Sequence, residues 1–287
     1  MTSPPLMIAV VQCPLDAGRA ENVARIEHWI RDAAAKDASV ILTPELFEGP
    51  YFPQTMDEAE RGRATRLEGH PTLARMSALA RELSVTLPIS VYEEADDGRY
   101  NSLVVIDADG SDLGIYRKAH IPDGPGYEEK FYFSPGNTGF RTWQTASGCL
   151  GVGVCWDQWF PESARAMRLL GADILLYPTA IGTEPATPGE DSREPWRRVM
   201  IGHAVANATP LAAANRVGFE GDLQFYGSSF ICDHRGELLA DMGRNDEGVA
   251  IAEIDRDAIA RYRRNWDFLS DRRPKLYRGL VDDDAVE

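Results

Sequence analysis

The chain has 287 residues, 44% hydrophobic and 26% charged, with a formal net charge of −15 at pH 7. That composition is ordinary for a globular protein, and the acidic balance argues against nucleic acid or an anionic membrane as partner, since either needs a basic face. No run of about 18 apolar residues occurs, so nothing is expected to span a membrane, and a net negative charge suits solubility or the attraction of a small cation.

No Ser/Gly/Pro-rich linker divides the sequence, so one domain over 1–287 is expected, with a C-terminal tail from about 270. Near the N-terminus "LMIAVVQC" (6–13) is a short apolar run that reads as a first buried strand rather than a leader. "ENVARIEHWIRDAAAKDA" (21–38) places Val23, Ile26, Ile30 and Ala34 on one face of a helix. "SVILTPELF" (39–47) reads as a second buried strand halted by Pro44. A helix over 70–84 has Pro71 in its first turn, and 86–94 is a strand. Hairpin signals follow at "ADDGR", "DADGS" and "ASG". An amphipathic helix over 161–171 leads into the strand "ADILLYPTA" (172–180). The helix over 192–209 is expected to have Ser192 as N-cap. "PLAAANRVG", "YGSSFICD", "GELLADM" and "GVAIAEID" read as further strands, 256–266 as a helix, and the final "VDDDAVE" as a mobile tail. One echo links two segments: "AKDASVILTPE" (35–45) and "LLGADILLYPTA" (169–180) both run from a helix end through a buried strand to Pro, hinting at two equivalent α/β units. Many strands with covering helices predict sheets packed face to face, with helices outside.

The cysteines Cys13, Cys149, Cys155 and Cys232 form no C-x-x-C pair, which argues against zinc. So low a count suits a reducing, cytoplasmic compartment. Cys155 is the informative one, because it stands where "GVGV" ends and the chain turns toward a helix. In α/β architectures ligands gather beyond the carboxyl ends of strands. Glu45 after "SVILTP" and Lys118 after "LGIYR" occupy such ends too. Taken singly, a thiol there is usually a core residue and a Glu or Lys usually solvated; together they are a chemical set. A thiol with a pKa of about 8.5 needs a base or a cation to become a nucleophile. Glu45 can take the proton; Lys118 can hold the thiolate and then the oxyanion, with the Trp156 amide as second donor. Histidine is the competing base. Of His28, His70, His120, His203 and His234, His120 lies nearest Lys118, so a Cys–His hydrolase stands as an alternative.

The segments "TPELFEGPYF", "YRKAHIPDGPGYEEKFYFSPGNTGF", "GVGVCWDQWFPESARAMRLLGADILLYPTAIGTEP" and "PLAAANRVG", with the N-terminal "IAVVQ", resemble the nitrilase superfamily over about residues 7 to 270. The resemblance implies an α/β fold, the four-layer α-β-β-α sandwich, with subunits paired as a homodimer or larger homo-oligomer and no metal or organic cofactor. It implies Glu45 as general base, Lys118 as oxyanion-stabilising cation, Cys155 as nucleophile, and Glu129 as a second glutamate that positions Lys118. The closest segments look like the branch that acts on N-carbamoylputrescine, although Pro53 stands where that branch leads one to expect Cys. The implied substrate is a small cationic carbamoyl amine, with Glu184 as amine anchor and Trp156, Tyr51 and Tyr127 as candidate walls. The alternative within the superfamily is a β-ureido acid or ω-amide, for which Arg193, Arg197 or Arg216 would bind a carboxylate. Retention of all three catalytic residue types argues against a sandwich kept only as an interaction module.

Overall fold

The computed structural model describes residues 6–281. Fourteen strands follow in chain order. The first five are β1 (Leu6–Gln12), β2 (Val40–Leu42), β3 (Leu87–Ala95), β4 (Gly98–Ile106) and β5 (Asp112–Arg117). Then come β6 (Thr142–Thr145), β7 (Gly148–Val152), β8 (Ile174–Thr179), β9 (Leu211–Asn215) and β10 (Val217–Glu220). The last are β11 (Leu223–Tyr226), β12 (Phe230–Cys232), β13 (Leu238–Asp241) and β14 (Gly248–Ile254). The helices are α1 (Arg19–Ala34), α2 (Glu58–Arg61), α3 (Pro71–Leu83), α4 (Glu129–Tyr132), α5 (Pro161–Leu169), α6 (Arg193–Asn207) and α7 (Arg256–Asn265).

Period-two alternation with both faces apolar explains the layers. Ile8 and Val10 of β1, Val40 and Leu42 of β2, and Leu103 and Val105 of β4 meet Leu150, Val152, Ile174, Leu176 and Ala212 of the other sheet in one buried core. The alternate residues Ala9, Val11 and Ile41 face outward onto Val23, Ile26 and Ile30 of α1 and Met76 and Leu79 of α3. On the opposite side Leu175, Tyr177 and Leu211 pack on Met167 of α5 and Trp196 and Met200 of α6. The result is helix, sheet, sheet, helix. Burying a side chain of this size contributes roughly 1.5–3 kcal/mol, so even the three-residue β2, buried throughout, is firmly held.

One sheet runs β13-β12-β9-β8-β7-β6. The other joins β14-β1-β2 to β3-β4-β5 through a parallel bridge from Val40 to Thr86. In both, a parallel trio (β1-β2-β3 and β7-β8-β9) is flanked by antiparallel strands. β2 and β8, the two strands of the sequence echo, are therefore the central strands of matching trios, and α1 and α5 are the helices leading into them.

Two sequence expectations need correction, and one hairpin is an addition. The strand expected over 39–47 ends at Leu42, leaving Glu45 in a turn. Ser192 makes no capping bond and has helical φ/ψ; its hydroxyl lies 3.3 Å from the Tyr226 hydroxyl, and Asp191 Oδ1 accepts the Arg193 N–H at 3.1 Å. The hairpin of β10 and β11 was not anticipated. The expectation for the final tail falls, from residue 282 onward, outside the described residues. Among the described residues no helix is long and apolar enough to cross a membrane.

Candidate active site

Four strand ends and loops bring the site together. Glu45 lies three residues past β2, and its N–H donates to the carbonyl of Thr179, the last residue of β8, at 3.3 Å. Lys118 follows β5, its N–H on the Asn101 carbonyl at 2.9 Å and its own carbonyl accepting the Gly136 N–H at 2.8 Å. Glu129 opens the single turn α4. All three side chains are buried. Lys118 Nζ donates to Glu45 Oε1 at 3.0 Å and to Glu129 Oε2 at 2.6 Å. Asn101 Nδ2 donates to Glu45 Oε1 at 2.6 Å, and the Tyr51 hydroxyl donates to Glu129 Oε1 at 2.6 Å. Glu45 Oε2 has no hydrogen-bond partner among the described residues, so one oxygen of this carboxylate is free to accept a proton.

Cys155 begins a 3-10 turn, Cys155–Trp159, directly after extended Val154. Its φ is +42°, which a residue with a side chain seldom adopts and which commonly marks a functional bend. Asp157 pins the bend: Oδ2 accepts the Val154 N–H at 2.9 Å and the Tyr116 hydroxyl at 2.8 Å. The Trp156 N–H has no acceptor among the described residues, which leaves it available as an oxyanion donor. The Cys155 thiol lies 3.7 Å from the Ala180 carbonyl.

Electrostatics set the resting protonation. Burial and the nearby Glu45 carboxylate push the Cys155 thiol well above its ordinary range, with Lys118 opposing. Burial alone would lower the Lys118 ammonium, but the carboxylates of Glu129 and Glu45 outweigh it and the net shift is upward. Burial pushes the Glu129 carboxyl up to about 7 against the pull of Lys118.

A cavity of about 120 Å³ opens onto Cys155, and Trp156, Tyr127, Glu129 and Glu184 share its lining. Glu184 is half-buried, and burial raises its carboxyl while the nearby Ser192 hydroxyl opposes the rise. The Tyr127 hydroxyl accepts the Gly182 N–H at 2.9 Å and donates to the Thr183 carbonyl at 3.1 Å, bracing that wall. Tyr51 is placed differently from expectation: it does not line this cavity but sits behind Glu129. Glu45, Lys118 and the rival base His120 are absent from the lining too, but the histidine is engaged elsewhere: its Nδ1 lies 2.7 Å from Asp157 Oδ1 and its ring stacks on Phe160 with centroids 3.6 Å apart. Asn101, Asp157 and Glu220 were not anticipated. Asn101 alone left a trace, as a polar residue just before the apolar run Leu103–Ile106 of β4.

The Carbon-nitrogen hydrolase family matches residues 7–264. An N-carbamoylputrescine amidase of Arabidopsis thaliana is 54% identical, covering 91% of this chain and 90% of its own. A citrullinase of Francisella tularensis is 46% identical over 96% of this chain and 98% of its own. A carbon-nitrogen hydrolase from Helicobacter pylori G27 superposes with a TM-score of 0.92 at 38% identity, covering 98% of this chain and 99% of that one.

Proposed function

The chain belongs to the carbon-nitrogen hydrolase family, and on that premise we propose that it hydrolyses N-carbamoylputrescine to putrescine, carbon dioxide and ammonia, a step in polyamine synthesis. The observation that carries the reading is that Cys155 and Glu184 line one small cavity: a nucleophile for the carbamoyl carbon and a carboxylate for the ammonium at the other end. Relatives named for this activity, at 50–54% identity, support it.

Cys155 Sγ attacks the ureido carbon while its proton passes to the unpartnered Oε2 of Glu45. A neutral resting thiol makes this a coupled transfer rather than attack by a preformed thiolate. Lys118 Nζ and the Trp156 N–H hold the oxyanion. Glu45 returns the proton to departing ammonia, leaving a carbamoyl thioester on Cys155. Water, deprotonated by Glu45, then displaces the sulfur; the carbamate loses carbon dioxide and releases putrescine. Glu129 holds Lys118 through its 2.6 Å contact.

A β-ureido acid or ω-amide, like citrulline, presents a carboxylate that calls for a cation. Arg216 is paired with Glu220, Arg197 with Asp241 and Arg193 with Glu194, and none of the three lines the cavity. This supports the cationic substrate. The test is ammonia release from N-carbamoylputrescine, N-carbamoyl-β-alanine and citrulline by the parent and by Glu184→Gln. Preference for the amine is expected, with KM for it raised roughly 10- to 100-fold in the variant; preference for N-carbamoyl-β-alanine would reject the assignment.

The four free thiols support a reducing, cytoplasmic setting. Exposed Leu169 and Leu170, at the end of α5, and Leu276 and Leu280 support pairing of subunits into a homo-oligomer, which light scattering would detect.

A further inference from the structure

The turn that carries Glu45 is strained. Leu46, its neighbour, has φ +48°, a left-handed conformation that costs a residue with a side chain and persists only where its surroundings over-determine it. The surroundings here are a buried ion pair that takes no part in the chemistry above. Arg216 and Glu220 are 0% and 1% exposed in their side chains, with Nη1 2.7 Å from Oε2 and 3.0 Å from Oε1. Arg216 Nη2 donates to the main-chain carbonyls of Glu45, at 2.7 Å, and Leu46, at 3.1 Å, and Nη1 also reaches the Gly49 carbonyl at 3.4 Å. Glu220 Oε2 accepts the Tyr51 N–H at 2.6 Å, and the Tyr51 hydroxyl donates to Glu129. One guanidinium–carboxylate unit thus grips both ends of the loop from Glu45 to Tyr51.

A buried ion pair is a poor device for stability, because desolvation cancels much of the attraction and well-packed apolar residues often serve as well. What apolar residues cannot do is hold those carbonyls and that N–H. We propose that Arg216 and Glu220 form a positioning pair: they hold the Glu45–Leu46 turn in its strained form and, through Tyr51, set Glu129 against Lys118. This rests on the assignment of Glu45 and Glu129 above.

Three variants of the full chain test it. Arg216→Lys keeps the charge but loses the fork that reaches a carboxylate and three carbonyls at once. The double variant Arg216→Met with Glu220→Met fills the volume and leaves no lone buried charge. Tyr51→Phe leaves the pair in place and removes a single hydrogen bond, that to Glu129, with almost no change of shape, so it decides the Glu129 half of the proposal even if the others fail to fold. The readouts are Tm, KM, and kcat per Cys155 thiol, with misfolded protein first removed by gel filtration and the iodoacetamide adduct located at Cys155 by peptide mapping, because unfolded chains would react at all four cysteines. The expected result is kcat per thiol lower by about 10- to 100-fold, with KM within about threefold, because small misplacements of reacting groups cost rates of that order. Parental kcat per thiol in Tyr51→Phe, or in either Arg216 variant that folds, overturns the proposal. Cys155→Ala separates the two ideas: activity surviving there refutes the catalytic assignment, whereas its loss alongside unchanged pair variants refutes only the positioning role.

Discussion

A single buried ammonium shared by two carboxylates is an unbalanced arrangement. Lys118 bonds to both Glu45 and Glu129, none of them exposed by more than 1% in its side chain. In surroundings without water the second negative charge is costly. The imbalance is expressed at Glu129, whose carboxyl is raised to about 7: burial pushes it up, Lys118 pulls it down, the Glu45 charge adds to the rise, and the Tyr51 hydrogen bond opposes it. The consequence for stability has a definite sign. A carboxyl whose folded-state pKa lies above its ordinary 4.5 favours the fold when protonated, so this contribution is complete below pH 4.5 and is lost as pH rises through about 7. Glu129→Gln has no such titration. Between those pH values the parent should therefore lose Tm relative to the variant, whatever the other groups do in common. Thermal melts of both proteins across the window check this, and parallel curves would show that Glu129 does not titrate there.

The strand end that bears Lys118 is held by main-chain contacts too close to admit an extra atom. At Gly136 an added Cβ would lie 2.0 Å from the Arg117 carbonyl oxygen and 2.7 Å from that of Lys118. Those are backbone atoms, which cannot swing aside, so Gly136→Ala must displace the end of β5. Overpacking of this kind costs about 1–3 kcal/mol, and here the displaced residue holds Glu45 and Glu129. Urea denaturation should show a loss in that range with a disproportionate fall in kcat; unchanged stability and rate would mean the strand end tolerates movement. The same elements explain what could be read from the sequence. β1, β2, β7 and β8 are apolar on both faces and bounded by Gly or Pro, so their existence was plain from pattern, and Glu45, Lys118 and Cys155 stood out as chemistry at strand ends. The 3-10 turn at Cys155 and the one-turn α4 carry no periodic signal; long-range contacts set them, Asp157 with Tyr116 for the first, and Glu129 with both Tyr51 and Lys118 for the second. Glu129 had its role only from family resemblance, since beside Lys130 it reads as a surface charge. What favours Glu45 over His120 as the proposed base is visible only in space: the histidine is taken up by Asp157 and Phe160.

The whole molecule adds a field to this local geometry. Two matching α/β halves face each other across one core, and Glu45 and Thr179, which follow and end the two central strands, meet by a main-chain bond at their common edge. The chain as a whole has a net charge of −15. A negative field raises the local concentration of a cation before any contact with Glu184 forms. That contribution is long-ranged, so it should fade as the Debye length shrinks from about 10 Å at 0.1 M salt to about 3 Å at 1 M. The half-buried Glu184 contact is screened less. For N-carbamoylputrescine, kcat/KM should accordingly fall by about threefold or more over that range. N-butylurea, which keeps the ureido group and lacks the ammonium, supplies the control: salt acting on the fold or on the chemistry would change both substrates alike. Equal salt dependence for the two would mean that the acidic surface serves solubility and leaves capture of the amine to the cavity alone.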